Sequence, residues 1–419
     1  MAQKSKQWAA IIMMIALFGM IAFVTNLCSP MATIVKNQFG ASEFAGQIGN
    51  YANFIAYLVM GIPSGMLIAK FGYKKTALLA LIVGLAGIFF EYLSGVVGNY
   101  WVYLIGAFIS GLCMCMLNTV VNPMLNVLGG GGKTGNQFIQ IGGACNSASA
   151  VAVYILMGAL IGEVTKSTGI ADATPALLIA GVIFIIAFVV LIFTRIEEPE
   201  QAPVELSLIT GALKFRQLSL GALAIFLYMS VEVGTPTYMI SYLQTPEVGL
   251  TAGTAGLIAS VYWLMMFVGR TVGGSIGGKV SSRAMVSTVA AAAIALLLFG
   301  IFAPASMKVT VIGIDWSNLA VIYPQVPICV LAFILVGLCT SVMWGGIFNM
   351  AVEGLGKYTA AASGIFMTMV FGCAVMVALQ AFVADYVGYL NSYFIPVACA
   401  AYILFYALVG SRVTKRADD

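Results

Sequence analysis

Twelve separate apolar runs, each close to the roughly 20 residues that a helix needs to cross a bilayer, follow one another along this chain. Their centres fall near residues 18, 56, 86, 113, 148, 184, 230, 264, 294, 336, 370 and 402. No other feature restricts the fold so strongly. A lipid interior offers no partner to a free backbone N–H or C=O, so a spanning segment must be a helix or part of a closed barrel. Runs of this length are helices, since a barrel strand needs only about ten residues of alternating character. Charged residues make up 8% of the chain, against about 25% in soluble domains, and 61% of it is hydrophobic. The fold class expected is an all-α membrane protein of twelve transmembrane helices. The N-terminal MAQKSKQWAAIIMMIALFGM is read as the first span, because its apolar run is too long for a signal-peptide core.

The longest clearly polar stretch, RIEEPEQAPVELSLITGALKFRQ, lies between spans six and seven. It divides the chain into a half of residues 1–195, a linker of 196–217 and a half of 218–419. Basic residues set the orientation of a multi-span protein. Of nineteen Lys and Arg, fifteen fall in segments on the N-terminal side of the membrane, among them Lys4, Lys6, Lys133, Lys279, Lys357 and Arg416. Lys36, Lys166 and Lys308 fall on the other side, and Arg270 lies within span eight. Both termini are therefore expected in the cytoplasm. The halves also echo each other: span four opens GLCMCML at Gly111, and span ten opens GLCTSVM at Gly337.

Several chemistries are excluded. A net charge of +4 without a basic, aromatic-laced stripe gives no nucleic-acid surface. There is no His, and the eight Cys sit inside apolar runs as small packing residues. No metal spacing and no cofactor motif is present. GGGGK (129–133) lacks the GxxxxGK[ST] spacing and the preceding strand of a phosphate loop, so it reads as a flexible connection. An enzyme would need a nucleophile–base pair or a metal cluster, and neither is evident.

The polar residues inside the spans carry the functional signal, because each needs a partner or a wet cavity there. In CMCMLNTVVNPMLNVLGGGG, Asn118, Asn122 and Asn126 recur every fourth residue and share one helix face. Amides donate and accept, which matches sugar hydroxyls, but they also bond between helices. Asn118 and Asn122, near mid-span, are read as ligand contacts, and Asn126 as structural. Span two offers Gln47, Asn50 and Asn53, span one Asn26 and Ser29, and span five Gln140 and Asn146. For these the ligand and the structural roles stand open. Tyr51 and Tyr57 are placed in the aromatic belt or core. Glu232 lies mid-span, and Pro236, four residues on, is expected to break the helix there. Tyr228, Tyr262, Trp263, Trp344 and Asn349 are further pocket candidates, a tryptophan being suited to stack on a pyranose. Glu91, in span three, either serves an ion path or reaches the interface. Arg270 and Glu353 are placed near inner span ends, as gate ion pairs or structural bridges. No fixed positive charge is expected at mid-membrane, which argues against an anionic substrate.

GMLIAKFGYKK (65–75) resembles the signature loop of the major facilitator superfamily through Gly65, Gly72, Lys74 and Lys75, with Ala69 where the family usually has Asp. Six spans repeated in one orientation fit the same superfamily. More narrowly, the chain resembles the fucose–glucose–galactose:proton symporters. The resemblance rests on MLNTVVNPMLNVLG, CNSASA, FLYMSVEVGTPTYMISYL, VYWLMMFVGR and IFNMAVEGLGKYTAAASG. It implies two parallel six-helix repeats and gate or structural roles for Lys74 and Lys75. The family's span-four Glu is Asn118 here, its span-one Asp is Ser29, and a span-five Gln is Gly143, while Asn146 is kept. The usual proton carriers are therefore missing, and Glu232 or Glu91 is left for ion coupling.

The reading is a secondary transporter of a small neutral sugar, a hexose, deoxyhexose or amino sugar. It is expected to import by alternating access in a bacterial inner membrane, its partners being the sugar, a proton or sodium, and the lipid bilayer. The alternatives are an uncoupled facilitator and a non-transporting sugar sensor on the same fold. A sensor usually carries a signalling domain, which the short tails here do not supply.

Overall fold

The computed structural model describes residues 7–40, 42–129, 132–162, 164–165, 167–198, 206–276 and 280–415. Lys4, Lys6, Lys166, Lys279 and Arg416 lie outside the described residues. Ser29, Lys133 and Lys357 are described in their backbone only. Among the described residues, twelve helices are long and apolar enough to cross a membrane. They are α1 (Trp8–Phe39), α2 (Ile48–Phe71), α3 (Tyr73–Val97), α4 (Tyr100–Leu128), α5 (Phe138–Ile161) and α6 (Ile170–Phe193). The second six are α7 (Arg216–Leu243), α8 (Ala252–Ile276), α9 (Ser282–Phe302), α10 (Cys329–Val352), α11 (Ala361–Val387) and α12 (Tyr389–Gly410). The even number of crossings puts both ends of the chain on one face, called here the terminal face. Lys70, Lys74, Lys75, Arg195, Lys214, Arg216, Arg283, Arg412 and Lys415 lie at that face, whereas Lys36 and Lys308 lie at the opposite one.

Local chemistry fixes the helix ends. The Asn99 side chain accepts from the backbone N–H groups of Trp101 (2.9 Å) and Val102 (3.4 Å), capping α4. Between α2 and α3 the chain turns on Gly72 alone, at φ +85°, a conformation that glycine adopts without a Cβ clash. The Glu198 carboxylate takes the first N–H groups of α3, Tyr73 at 2.7 Å and Lys74 at 3.0 Å. Lys74 Nζ in turn donates to the carbonyls of Ile192 and Thr194, both at 2.8 Å, at the end of α6. The basic loop thus ties α3, α6 and the start of the linker together. Lys75 is exposed beside it.

The sequence echo between spans four and ten has a packing cause. A Cβ at Gly111 would overlap the Asn53 carbonyl of α2, and one at Gly337 would overlap the Tyr262 carbonyl of α8. Each glycine lets the fourth helix of its half lie against the second, so the same sequence solves the same close approach twice. The halves meet along two seams, α5 against α8 and α2 against α11.

The long, β-branched-rich connection between α9 and α10 forms an antiparallel ribbon, an element that the reading by apolar spans did not include. Strand β1 (Lys308–Thr310) pairs with β4 (Gln325–Pro327), and β2 (Gly313–Asp315) with β3 (Ala320–Ile322). At its tip the Asp315 carboxylate accepts from the Asn318 amide (2.8 Å) and from Ser317 N (2.9 Å); the Asn318 bond first, then the backbone bonds, lower its pKa. Trp316, 7% exposed, folds back between Gly158 of α5 and Gly253 of α8, one from each half. Gly158→Val is expected to unseat this ring, since even a Cβ overlaps it, at an overpacking cost of about 1–3 kcal/mol. Faster proteolytic nicking of residues 308–327 in the intact protein would record that loss. Nicking at the wild-type rate would mean that the ring does not hold the ribbon.

Candidate functional site

On α8, Gly256, Trp263 and Arg270 are seven residues apart and share a face. That face looks at α5. A Cβ at Gly256 would touch the Tyr154 ring at 3.0 Å, and the Arg270 guanidinium lies against Gly143. Trp263 therefore sits in the seam between them at mid-membrane, 8% exposed, and its indole Nε1 has no hydrogen-bond partner. A buried donor without an acceptor is costly, and this one lies where two halves meet.

Arg270 belongs with mid-membrane groups and not with the span end where sequence position put it. Side chains on a helix tilt toward its N-terminus. The long stem of Arg270 is thereby carried away from the terminal face, and NH2 comes to 3.7 Å from Glu232 Oε1 on α7. NH1 donates to the Gly143 carbonyl (2.6 Å), to Ser147 Oγ (2.7 Å) and to Asn146 Oδ1 (3.5 Å) on α5. A positive charge is thus fixed at mid-membrane, contrary to expectation, with Glu232 as its counter-charge.

Pro236 does not break α7. The chain widens into a π turn over Ser230–Gly234 and resumes as α-helix at Thr235. An added residue per turn accommodates the proline and leaves Glu232 on the bulge, where such turns often mark function. The ladder of α10 is interrupted at Ser341–Val342. Thr340 just before the break accepts Tyr228 Oη–H on its carbonyl (3.2 Å), and its hydroxyl is 2.9 Å from the Tyr262 hydroxyl. Tyr228 and Tyr262 are wholly buried with these bonds made. They hold α7, α8 and α10 together and leave no free hydroxyl for a ligand. Trp344 is half-buried, its ring centroid 6.1 Å from Tyr228 and 5.5 Å from Phe366.

In the first half, Asn118, Asn122 and Asn126 are partly exposed on a helix whose other residues between Cys113 and Leu128 are largely buried. α4 packs on α1, α2, α3 and α5 of its own half, so its open stripe faces the second half. Asn118 Nδ2 donates to the Tyr57 hydroxyl at 2.9 Å. Tyr57, 2% exposed, is an interior partner of the stripe; the aromatic-belt alternative does not hold. Asn122 and Asn26 spend one amide hydrogen on their own helices, at the carbonyls of Asn118 (3.0 Å) and Ala22 (2.8 Å). Asn146 joins α1 to the seam, donating to the Phe18 carbonyl at 3.0 Å.

The remaining candidates separate from this centre. Gln47 lies at the end of α2 opposite the terminal face, beside a cavity of about 330 Å³ lined also by Lys36, Asn37, Ser241 and Gln244. Asn50, three residues on, bonds it at 3.5 Å. Gln140 crosses the seam nearer the terminal face, against Gly274 and Gly345. Asn349, one turn beyond Gly345, is exposed. Glu353 forms no ion pair among the described residues; its carbonyl accepts from Gln217 Nε2 at 3.1 Å. Glu91 does not reach the interface. It is buried between α3 and α4 and accepts from Ser110 Oγ at 3.0 Å. Sequence reasoning gave Tyr57 only a belt or core place, of which the core holds, noted Gly143 only as a departure from the resembled family, and passed over Ser147.

A bundle of twelve helices in two halves, with polar residues and loosened helices along the seam between them, is the build of a secondary transporter. The chain belongs to the Major Facilitator Superfamily, whose family model matches residues 11–377. It is similar to a protein named glucose/galactose transporter in Brucella abortus, 27% identical over 94% of this chain and 92% of the relative. A putative glucose/galactose transporter of Helicobacter pylori is 25% identical over 98% of both chains. The L-fucose-proton symporter of Escherichia coli is 21% identical over 95% of this chain and 92% of its own. Among solved structures, the major facilitator transporter FucP in its outward conformation shares the fold, with a TM-score of 0.73 and 20% identity, over 96% of this chain and 99% of that one. The fold and the relatives are those of membrane transporters and not of enzymes.

Proposed function

We propose that this protein imports a neutral monosaccharide across a bacterial inner membrane, with both termini in the cytoplasm, coupled to an ion gradient through Glu232. Residues 1–195 and 218–419 rock against each other, and 196–217 links them. The observation that carries this reading is the buried indole N–H of Trp263 without a partner in the seam. Across the membrane interior from it, α4 turns the open amide face of Asn118 and Asn122 toward the second half. An unpaired donor, amides that both give and accept, and an aromatic ring together suit a polyol ring. Relatives named for glucose, galactose and fucose support the same class. The Arg270 charge does not call for an anionic substrate, because Glu232 stands against it.

The test is uptake of a labelled sugar panel into proteoliposomes, with proton and sodium gradients imposed separately. Accumulation of a hexose or deoxyhexose above equilibrium under one gradient is expected. Entry that stops at equilibrium under both gradients would replace the symporter with a facilitator, the reading that Asn118 in place of a carboxyl favours. No entry and no binding of any sugar would remove the proposal.

A further inference from the structure

Arg270 touches both halves at once. Its NH1 holds the Gly143 carbonyl, Ser147 and Asn146 on α5, and its NH2 faces Glu232 on α7. Gly143 makes the approach possible, since a Cβ there would stand 3.2 Å from Arg270 Cδ and 3.4 Å from Nε. The titratable and charged groups around Glu232 are Tyr228 on its own helix, Tyr262 and Arg270 on α8, and Cys373 on α11. Among the described residues Arg270 is the one cation there.

We propose that Arg270 is the positioning residue that ties the opening of the α5–α8 seam to the protonation state of Glu232, an inference that rests on the ion-coupled carrier reading above. Parting α5 from α8 takes three acceptors from the guanidinium, all of them on α5. Arginine keeps its charge in a protein, and a charge without a partner inside a bilayer is costly. With Glu232 ionised, the guanidinium falls back onto a carboxylate of its own half, and the seam opens. With Glu232 protonated, that retreat offers only a neutral acid, so Arg270 favours Gly143 and Ser147 and the seam opens less often. The only bond that changes is the O–H of Glu232, whose proton is exchanged with water.

One turn nearer the terminal face, the position of a Cβ on Gly274 is 3.3 Å from the Gln140 Cβ, close to the separation that a disulfide needs. Gln140→Cys with Gly274→Cys, in a chain freed of its native cysteines, therefore reports seam closure by its rate of oxidative cross-linking. Glu232→Gln is expected to raise that rate about tenfold, within the usual range of coupling between sites. Arg270→Gln is expected to lower it, and adding Glu232→Gln to Arg270→Gln to change nothing further. Gly143→Gln leaves both charges in place but fills the space of the arginine stem, so it should slow cross-linking as Arg270→Gln does. An unchanged rate in Glu232→Gln, or the same acceleration with Arg270 absent, overturns the proposal. Sugar accumulation measured on the same Glu232→Gln protein separates the two levels. Lost accumulation with unchanged cross-linking defeats Arg270 alone, whereas normal accumulation defeats the coupling role of Glu232.

Discussion

Glu232→Gln should abolish accumulation of sugar against its gradient while leaving a folded, inserted protein. One coupled charge moving through about 100 mV is worth ~2.3 kcal/mol, which supports an accumulation of about fiftyfold; the variant should stop at equilibrium. An amide cannot take up and release a proton, but it keeps the side-chain shape on the π turn. Removing one member of a buried ion pair commonly destabilises by about 3–5 kcal/mol. Here the guanidinium retains the Gly143 carbonyl and Ser147, so the loss of stability should fall below that range. Size-exclusion elution and counterflow exchange of sugar in the same preparation check that the fold and the site survive. Glu91→Gln is the matching control. The Glu91 carboxyl is enclosed between α3 and α4 and bonded to Ser110. An amide can keep that bond, so accumulation should persist. Persistence in Glu232→Gln and loss in Glu91→Gln would move the coupling group to the first half.

The number of spans was legible because lipid imposes a one-dimensional rule: about 20 apolar residues per crossing. The stripe on α4 was legible for a similar reason, since helix periodicity alone puts Asn118, Asn122 and Asn126 on one face. Depth along a span was much less legible for long side chains. Arg270 sits six residues from the end of α8, yet its guanidinium reaches Glu232, because stem length and the backward tilt of helical side chains add to its position. Partner choice was hidden for a different reason. Tyr57 is as apolar-looking as any belt tyrosine until the fold brings Asn118 to its hydroxyl, 61 residues away in the chain. Proline gave the right place and the wrong outcome at α7, since a helix can absorb it by widening a turn instead of breaking. The β ribbon did leave a trace, since KVTV (308–311) alternates polar and apolar residues ahead of the turn residues DWSN (315–318); its strands of three residues are too short to stand out beside apolar runs of membrane-spanning length.

Asn118→Ala should weaken sugar binding by about 5- to 150-fold, the equivalent of roughly 1–3 kcal/mol for a lost buried polar contact, and should leave the ion requirement of uptake unchanged. The argument begins with the bond to Tyr57. Asn118 gives one amide hydrogen to that hydroxyl. Its second hydrogen and its carbonyl oxygen remain on a partly exposed face turned to the other half. A sugar hydroxyl can use both at once. Alanine removes them, and it also frees the Tyr57 hydroxyl, which is buried among apolar side chains and must then find another acceptor or donor. Part of the measured loss will therefore belong to Tyr57. Tyr57→Phe isolates that part, because it deletes the hydroxyl and leaves the amide whole; its effect on affinity should be smaller than that of Asn118→Ala. Binding is read by titration in detergent and coupling by uptake under imposed gradients. An alanine variant that binds sugar with wild-type affinity and loses only its ion dependence would take Asn118 out of the sugar site and place it on the ion path.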